Sequence, residues 1–559
     1  MKNLFLLAGA LSISIASGCN AQTPVTQTST NAVQTATEIR NAMTAANNDP
    51  AGRPLPVLAS WNAGTYTHEN GFNPAYQIGL VEKGHHLIPG FAFPNIPTDA
   101  ISGETTIEKG RAYYEAPLKR AAELNLPITL IGTQWEQLLY LDKQYFDLPA
   151  EKNPNVITPD GKVLKKLSPF GPVESWREVG AKWVTSPLMK QVQQWYPNPS
   201  HVVLLSNNEA GKLGWQDVET DARYLAKYGT GRDNEFKRQV VSDGWIERYR
   251  ALQDGMRGAL SPQWRDKVVF VGYSAFGGSA FARWPGWINY SIATSSRIAP
   301  DPLMWDGGTP PYYTASYNGL TDFRVMSPQI EAMNWIFMQK QALQLNPDFR
   351  FGFSIWDGST DKKETDLPTI YEGLGQKYSP ARYSGYSQFG MWLLRPRVLR
   401  EYRGYTSRGW SATTAELEPW FLPLAADVDR IYRNETLKQF WRKGELVPNR
   451  AYPHPYQVAV PEAFKNEDRW FLLDTNLDAP RPWTLKTEVP VYSLALVEGD
   501  AGNRRWLVHT YSPLQERKDV EITVPEYGTI KVDVPVAGAF YVIDEKGKRV
   551  EKLTTDGHR

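Results

Sequence analysis

The residues best placed for chemistry follow a short apolar segment. Residues 202–205 (Val-Val-Leu-Leu) are typical of a strand that is buried on both faces of a parallel sheet, and Asn207, Asn208 and Glu209 come directly after it. When parallel strands form a barrel, their carboxyl ends line the active site, so Glu209 is placed for acid–base chemistry and Asn208 for hydrogen bonding to a sugar hydroxyl. The alternative is a helix N-terminus with a cap and an acidic residue in its first turn.

Cleavage of a glycosidic bond needs two carboxyl groups, one to protonate the leaving oxygen and one to attack the anomeric carbon or activate water. Glu331 is a candidate for the second group, because it follows a predicted strand at residues 323–326. It is equally typical of the first turn of a helix over residues 330–345, where acidic side chains are favoured. Asp357, directly after Trp356, is the rival carboxylate.

Strand and helix patterns alternate from Pro54 onward, at intervals that suit βα units. Helical spacing is found at residues 111–124, 188–195, 217–228, 235–256 and 387–400. Strands are predicted at residues 56–60, 86–93, 127–131, 202–205, 267–273, 312–316, 323–326 and 351–355. This alternation predicts an α/β fold, a (β/α)8 TIM barrel, with the candidate carboxylates at its carboxyl-terminal rim.

Other polar and aromatic residues come at or near the predicted strand ends and are candidates for substrate contacts. Aromatic faces can pack on the C–H faces of sugar rings, although large barrels also bury many aromatic side chains. These candidates are Trp61, Asn62, Trp135, Glu136, Tyr273, Tyr317, Gln329, Trp356 and Asp357, together with Asn208.

An Asn-Glu pair after the fourth strand and a Glu after the seventh resemble the retaining (β/α)8 glycoside hydrolase superfamily, which includes β-galactosidases, agarase-like enzymes and carrageenan-degrading enzymes. The resemblance covers residues 54–415 and rests on Asn208, Glu209 and Glu331. It implies that Glu209 is the acid/base and Glu331 the nucleophile, and it makes a marine galactan an attractive substrate. Basic residues that could meet sulfate esters, although such charges more often form a solvated surface, are Arg283, Arg324, Lys362 and Lys363.

A retaining mechanism would proceed by double displacement through a glycosyl-enzyme intermediate, with the two carboxyl groups about 5–5.5 Å apart. Glu209 would have to start protonated, so its pKa is expected to be raised by burial or by the neighbouring negative charge. Two alternatives stay open at this point. One is an inverting glycosidase that uses Asp357, and the other is a catalytically inactive surface lipoprotein that binds glycans.

The composition excludes several classes of protein. The 61 Lys and Arg residues balance 60 Asp and Glu residues, so no strong field attracts nucleic acid or an anionic membrane surface. The seven His residues show no metal-binding spacing, and the chain has neither a phosphate-binding glycine pattern nor a Gly-x-Ser-x-Gly elbow. We therefore expect a carbohydrate partner, and neither a cofactor nor a metal.

The N-terminus predicts export. Lys2 precedes an apolar run over residues 4–15, and small residues lead to Cys19, the single cysteine of the chain. This layout resembles a bacterial lipobox, so residues 1–19 are predicted to be a signal peptide that leaves a lipidated Cys19 on an outer-membrane-attached protein. Because Ala16 departs from the usual Leu, ordinary cleavage near Ala21 and a periplasmic or secreted protein remain the alternative.

Three further regions are expected after the signal. Residues 20–53 are rich in Thr, Asn, Ala and Gln and poor in large apolar side chains, which predicts a disordered tether. Residues 54–415 form the catalytic barrel. In residues 416–559, a helical piece is followed by short alternating segments between turn signals, which predicts an accessory region with a small antiparallel β-sandwich.

Overall fold

The computed structural model of the protein describes residues 25–61, 63–66, 69–93, 104–132, 135–206, 211–272, 301–313, 336, 339–340, 342–356, 379–402, 412–449, 468, 470–473, 491–513 and 515–554. Within these ranges no helix is both long and apolar enough to cross a membrane.

Eight parallel strand positions form the central sheet. The strands are β1 (Val57–Ser60), β2 (Gly90–Phe93), β3 (Ile128–Gly132), β4 (Val202–Ser206), β5 (Val268–Gly272), β6 (Gly307–Gly308, continued by Pro311–Tyr313), β7 (Arg350–Trp356) and β8 (Val398–Glu401). From β2 onward each strand pairs with the next in chain order, and β8 pairs with β1. A short bridge between Leu58 and Leu87 nearly completes the ring, with the Leu58 N–H donating to His86 O at 2.9 Å. The sheet is therefore a barrel of the kind that a (β/α)8 fold requires.

Helices surround this barrel and connect its strands. They are α1 (Val25–Thr44), α2 (Pro74–Glu82), α3 (Glu104–Glu123), α4 (Leu138–Leu141), α5 (Lys143–Phe146), α6 (Glu174–Val184), α7 (Pro187–Trp195), α8 (Ala222–Tyr228), α9 (Asn234–Ala259), α10 (Pro262–Arg265), α11 (Asp301–Met304), α12 (Pro380–Leu394), α13 (Thr414–Arg433) and α14 (Glu435–Lys443). Short 3-10 helices at Trp135–Gln137 and Trp215–Thr220 and a hairpin of Asn155–Ile157 with Val163–Leu167 lie in the loops.

The two faces of the sheet differ. Phe93 contacts Tyr114 of α3, and Phe270 lies 5.0 Å from the guanidinium of Arg257 on α9, so these rings face the helices. Side chains alternate along each strand, and the strand register then places the neighbouring residues Ala59, Ser354 and Arg400 on the opposite, inner face.

The tether predicted for residues 20–53 is wrong from residue 25 onward. Residues 25–44 form α1, whose buried side chains Ala32, Ala36, Ile39 and Met43 follow helical spacing and belong to the main hydrophobic core. Two alanines, an isoleucine and a methionine thus give this helix a buried apolar face, although the composition of the segment as a whole is polar.

The last strand of the barrel also differs from the prediction. The helix expected over residues 387–400 ends at Leu394, and Arg395 follows in the left-handed conformation with φ of 43°. The chain then returns as β8, between β7 and β1. The strand predicted as the eighth, at residues 351–355, is consequently the seventh.

The barrel extends beyond residue 415. Helix α13 follows β8 and is the helix of the eighth βα unit. Its Phe421 ring packs edge-on against Phe72, with the ring centroids 4.4 Å apart, and its Tyr432 hydroxyl donates to Pro56 O at 3.0 Å. The boundary predicted at residue 415 therefore falls inside the last βα unit rather than after it.

The C-terminal region consists of antiparallel strands. One sheet contains β9 (Glu445–Leu446), β10 (Tyr492–Glu498), β11 (Arg505–Tyr511), β14 (Ala539–Asp544) and β15 (Arg549–Lys552), and a separate pair is formed by β12 (Arg517–Val524) and β13 (Gly528–Val534). Side chains from both sheets, among them Trp506, Ile522 and Val532, form one hydrophobic cluster.

A buried polar cluster joins this region to the barrel. Asp427 of α13 accepts hydrogen bonds from Ser384 Oγ at 2.6 Å and Gln388 Nε2 at 2.8 Å, and Gln388 also contacts His509 of β11, with Oε1 at 3.2 Å from Nε2. Burial raises the pKa of Asp427 to about 6, despite the opposing effects of Arg430 and these hydrogen bonds.

Replacing Asp427 with Asn is expected to change how stability depends on pH. Because the folded pKa is raised, the folded protein takes up this proton below pH 6, whereas the unfolded chain does so only below about pH 3.9. Stability from Asp427 therefore falls as the pH rises from 4 to 6. Asp427→Asn should become more stable relative to wild type across that window, by up to about 3 kcal/mol. Thermal midpoints between pH 4 and 8 measure this, and parallel curves would contradict it.

Candidate active site

The carboxyl ends of the barrel strands define one rim, and the candidate carboxylates follow two of its strands in the sequence. Strand β4 ends at Ser206, two residues before Asn208 and three before Glu209, and β7 ends at Trp356, one residue before Asp357. The two strands are the fourth and the seventh of the ring. Because all the strands run parallel, both chain segments leave the barrel on the same side.

The position of the seventh strand corrects one premise of the sequence prediction. Glu331 was expected to follow the seventh strand at residues 323–326, but β6 pairs directly with β7, with Tyr312 opposite Ile355. The seventh place therefore belongs to residues 350–356, and Asp357 is the acidic residue that follows it. Residues 323–326 themselves lie outside the described residues.

Most of the predicted site residues also lie outside the described residues. They are Cys19, Asn62, Asn208, Glu209, Tyr273, Tyr317, Gln329, Glu331 and Asp357, and the basic residues Arg283, Arg324, Lys362 and Lys363 join them. The structure places the backbone of Trp356 at the end of β7, opposite Tyr313. The predicted contact residues whose side chains are described are Trp61, Trp135 and Glu136.

Trp61 lies directly after β1 and is anchored across the barrel. Its indole Nε1 donates to Ser354 Oγ of β7 at 3.0 Å, and the guanidinium of Arg400 lies 5.2 Å from its ring. Only 6% of Trp61 is exposed. The indole is therefore held in one orientation at the rim, and other residues of the chain cover nearly all of its surface.

Arg400 of β8 was not predicted as a site residue. It lies on the inner face below Trp61, is 2% exposed, and donates from Nη1 to Ser60 O at 3.4 Å. Arg400 forms no ion pair with a described residue, and burial lowers its pKa to about 9. Had residues 398–400 been predicted as a strand, a charged side chain on its inner face would have marked Arg400 as a candidate. They were predicted as part of a helix instead.

Glu136 belongs to a polar group between the loops after β3 and β4. It is fully buried, accepts a hydrogen bond from the Tyr249 hydroxyl at 2.7 Å, and has the ammonium of Lys212 at 3.8 Å from the same carboxylate oxygen, Oε1. Lys212 also lies 5.1 Å from the Tyr249 ring. The second oxygen, Oε2, is buried and accepts no hydrogen bond from a described residue. This arrangement holds a carboxylate close to the rim with one free acceptor.

Trp135, also predicted as a substrate contact, is packed in the core. Its ring is 2% exposed and lies against Trp183, Phe270 and Trp305, at centroid distances of 5.8, 6.3 and 6.1 Å. Phe270 faces the helices, so Trp135 occupies the layer between strands and helices. The structural explanation, that large barrels bury many aromatic residues, fits this position.

Gly132→Ala is expected to disturb the packing of Trp135 between the strands and the helices. A Cβ at Gly132 would lie 2.0 Å from Trp135 Nε1 and 3.1 Å from Trp183 Cζ2, so the rings would have to move. We expect a loss of about 1–3 kcal/mol in the free energy of unfolding, measured by denaturant titration. Gly258→Ala is the matched control, because its Cβ meets nothing within 4 Å and should stabilise α9 by about 0.5–1 kcal/mol. Equal stability of the two variants would contradict the assignment of Trp135 to the core.

Known proteins show only remote similarity to this chain. No protein-family model matches the sequence, and no curated protein is similar to it. Among solved structures, the chain is similar to AmyP in complex with maltose, with 10% identity, a TM-score of 0.36, and coverage of 91% of this chain and 97% of that one. It is similar to a putative alpha-galactosidase/melibiase from Bacteroides fragilis, with 9% identity, a TM-score of 0.31, and coverage of 89% and 80%.

A third similar structure is the GH51 arabinofuranosidase from Xanthomonas axonopodis pv. citri, with 10% identity, a TM-score of 0.30, and coverage of 76% and 72%. At these identities and TM-scores the likeness assigns neither a family nor a substrate. The fold itself defines the class of protein, a parallel eight-stranded barrel with C-terminal antiparallel sheets. Among the described residues, no group of three or more His, Cys, Asp or Glu side chains could hold a metal ion.

Proposed function

We propose that the protein is an exported glycoside hydrolase that cleaves β-glycosidic bonds of an oligosaccharide or polysaccharide. The observation that carries the proposal is the strand order. It makes the segment before Asn208-Glu209 the fourth strand and the segment before Asp357 the seventh, so two acidic residues follow strands that open onto the same rim.

The proposed chemistry divides between the two acidic residues. Glu209 protonates the leaving oxygen and then deprotonates the incoming water, and the second carboxylate attacks the anomeric carbon to form a glycosyl-enzyme intermediate. The strand order favours Asp357 for the second role over Glu331. An inverting route would instead use the second carboxylate to activate water, at a separation of about 6.5–9.5 Å.

Two described side chains near the rim are an aromatic ring and a carboxylate. Trp61 is fixed there with 6% of its surface exposed, and Glu136 is fully buried, with no hydrogen bond from a described residue to its Oε2. Aromatic faces and polar groups of this kind are what a site uses to orient a ring that has both C–H faces and hydroxyls. We propose Asn62, Asn208, Tyr273, Tyr317, Gln329 and Trp356 as further substrate contacts.

The test is a panel of β-linked glycans, with galactans included, incubated with the purified protein. Release of reducing ends, followed by an NMR time course of the first anomer formed, supports the proposal when the configuration is retained. A first product of inverted configuration would replace double displacement by the inverting route. Glycan binding without release of reducing ends from any substrate would overturn the enzyme assignment in favour of a glycan-binding lipoprotein.

A further inference from the structure

A second polar site lies at the opposite, amino-terminal end of the barrel. An inner cavity of about 80 Å³ is lined by Asn47, Arg53, Arg395 and Arg397 together with Phe349 and Phe351 at the start of β7. Arg53 and Pro54 also line an outer cleft of about 420 Å³, which lies next to α1 and α14. The two spaces therefore adjoin at Arg53.

The three guanidiniums of the inner cavity have N–H donors that are not used by the described residues. Arg53 makes no side-chain hydrogen bond or ion pair with a described residue. Arg395 is 8% exposed, and its side chain makes one hydrogen bond with a described residue, to Gly444 O. Arg397 is 6% exposed and its side chain donates to Ala42 O and Asn47 Oδ1, both at 2.8 Å, while its Nε has no partner within the described part of the chain. Several N–H donors are thus available around one small space.

Charge around this cavity is predominantly positive. Glu445 is the acidic group that acts on Arg53 and Arg395, whereas Arg397 has none among the described residues and is repelled by Arg350. Burial lowers the pKa of Arg395 and that of Arg397 to about 9, with a further contribution from Arg53 to the first and from Arg350 to the second. The carbonyl end of α1 offsets part of the charge at Arg397 through Ala42 O. Buried cations without counter-charges are costly, which favours an anion between them.

We propose that Arg53, Arg395 and Arg397 form a binding site for a sulfate or phosphate group. Planar guanidiniums recognise such oxyanions through pairs of N–H donors, and three of them around one cavity match the several oxygens of a tetrahedral anion. The cavity exceeds severalfold the roughly 10–15 Å³ that one water molecule needs. Any sugar that carries the group would extend into the outer cleft, past Lys438 and Arg442. This site is separate from the carboxyl-terminal rim and does not depend on the proposed hydrolase activity.

The experiment is a titration of the full-length protein with sodium sulfate at constant ionic strength, followed by calorimetry and by the thermal midpoint. We expect saturable binding by wild type, and an affinity at least about tenfold lower for Arg53→Gln, because one set of charge-assisted hydrogen bonds is lost. The Arg53 side chain makes no hydrogen bond with a described residue, and its backbone N–H bond to Arg442 O is kept, so this variant should fold. Lys83→Gln, which removes an exposed charge near the same end of the barrel, should bind as wild type does.

The outcomes are distinct. The thermal midpoint could rise without saturation and by the same amount in wild type and Arg53→Gln. That result would be the general effect of sulfate on protein stability, and it would overturn the proposed site. Repeating the titration with a sulfated monosaccharide separates the two sources of the anion. A tighter affinity than for inorganic sulfate, weakened by Arg442→Gln, supports a sugar ester in the outer cleft. Equal affinities, insensitive to Arg442→Gln, support the free ion in the inner cavity.

Discussion

Glu209→Gln is expected to lower kcat on any glycan that the protein hydrolyses by roughly 10²–10⁴-fold, the usual contribution of a general acid. Gln has nearly the same size as Glu but cannot donate the proton that the leaving oxygen requires. Oligosaccharide binding should persist, because the amide still forms hydrogen bonds. Initial rates of reducing-end release, together with binding by calorimetry, measure the two effects separately.

The second carboxylate is identified by the matched pair Asp357→Asn and Glu331→Gln. The strand order predicts that Asp357→Asn loses activity to a similar degree, since no covalent intermediate can form, while Glu331→Gln keeps most of it. The reverse result would restore Glu331 as the nucleophile. Glu151→Gln, at an exposed position in a loop, is the control for the change of charge and should act as wild type.

Glu209→Gln with more than about a tenth of wild-type activity would contradict the proposed acid/base role.

The largest effect on stability is expected from Asp429→Ala. Asp429 is buried on α13 and accepts hydrogen bonds from His85 Nδ1 at 2.7 Å, His86 Nδ1 at 2.8 Å and the His86 N–H at 2.8 Å. His86 is stacked on Tyr432 at 3.5 Å and its Nε2 lies 2.8 Å from Glu38 Oε2 of α1. One carboxylate thus connects the first helix, the entry to β2 and the last barrel helix.

Removing this carboxylate leaves two imidazoles and a backbone N–H without their partner. We expect a loss of about 3–5 kcal/mol in the free energy of unfolding, as for other buried charge pairs that lose one member. Denaturant titration measures the loss, with Asp254→Ala on the exposed face of α9 as the control. A change below about 1 kcal/mol would show that the network contributes little.

The same network has a defined pH dependence. Burial alone would lower the pKa of His86, but its hydrogen bonds to Asp429 and Glu38 raise it above the ordinary value. Burial likewise opposes ionisation of Asp429, yet the hydrogen bonds from His85 and His86 hold its pKa at about 2. The stability that protonated His86 contributes is therefore present below about pH 6.5 and is lost as the pH rises through its raised pKa. The stability that ionised Asp429 contributes is present above about pH 3.9 and is lost as the pH falls towards 2. In Asp429→Ala, the free energy of unfolding should depend less on pH in both of these ranges.

Several features were predictable from local patterns. Strands β1 to β5 and β7 are apolar runs with clear boundaries, and their predicted ranges overlap the observed ones. The C-terminal strands alternate between polar and apolar residues, and turn residues separate them. Helix α1 was missed because composition alone suggested disorder, although Ala32, Ala36, Ile39 and Met43 recur at helical spacing. Strand β8 was missed because its four residues include two charged side chains, Arg400 and Glu401.

The sequence by itself determined the alternation of strands and helices and the presence of acidic residues after apolar runs, because both depend on neighbouring residues along the chain. Tertiary structure decided which strand is the seventh, since that place depends on pairing between segments far apart in sequence. It likewise brought Arg400 beneath Trp61, and Arg53 beside Arg395 and Arg397, from opposite ends of the barrel domain. Closing a barrel unites the first and last strands, and no local pattern records which side chains meet there.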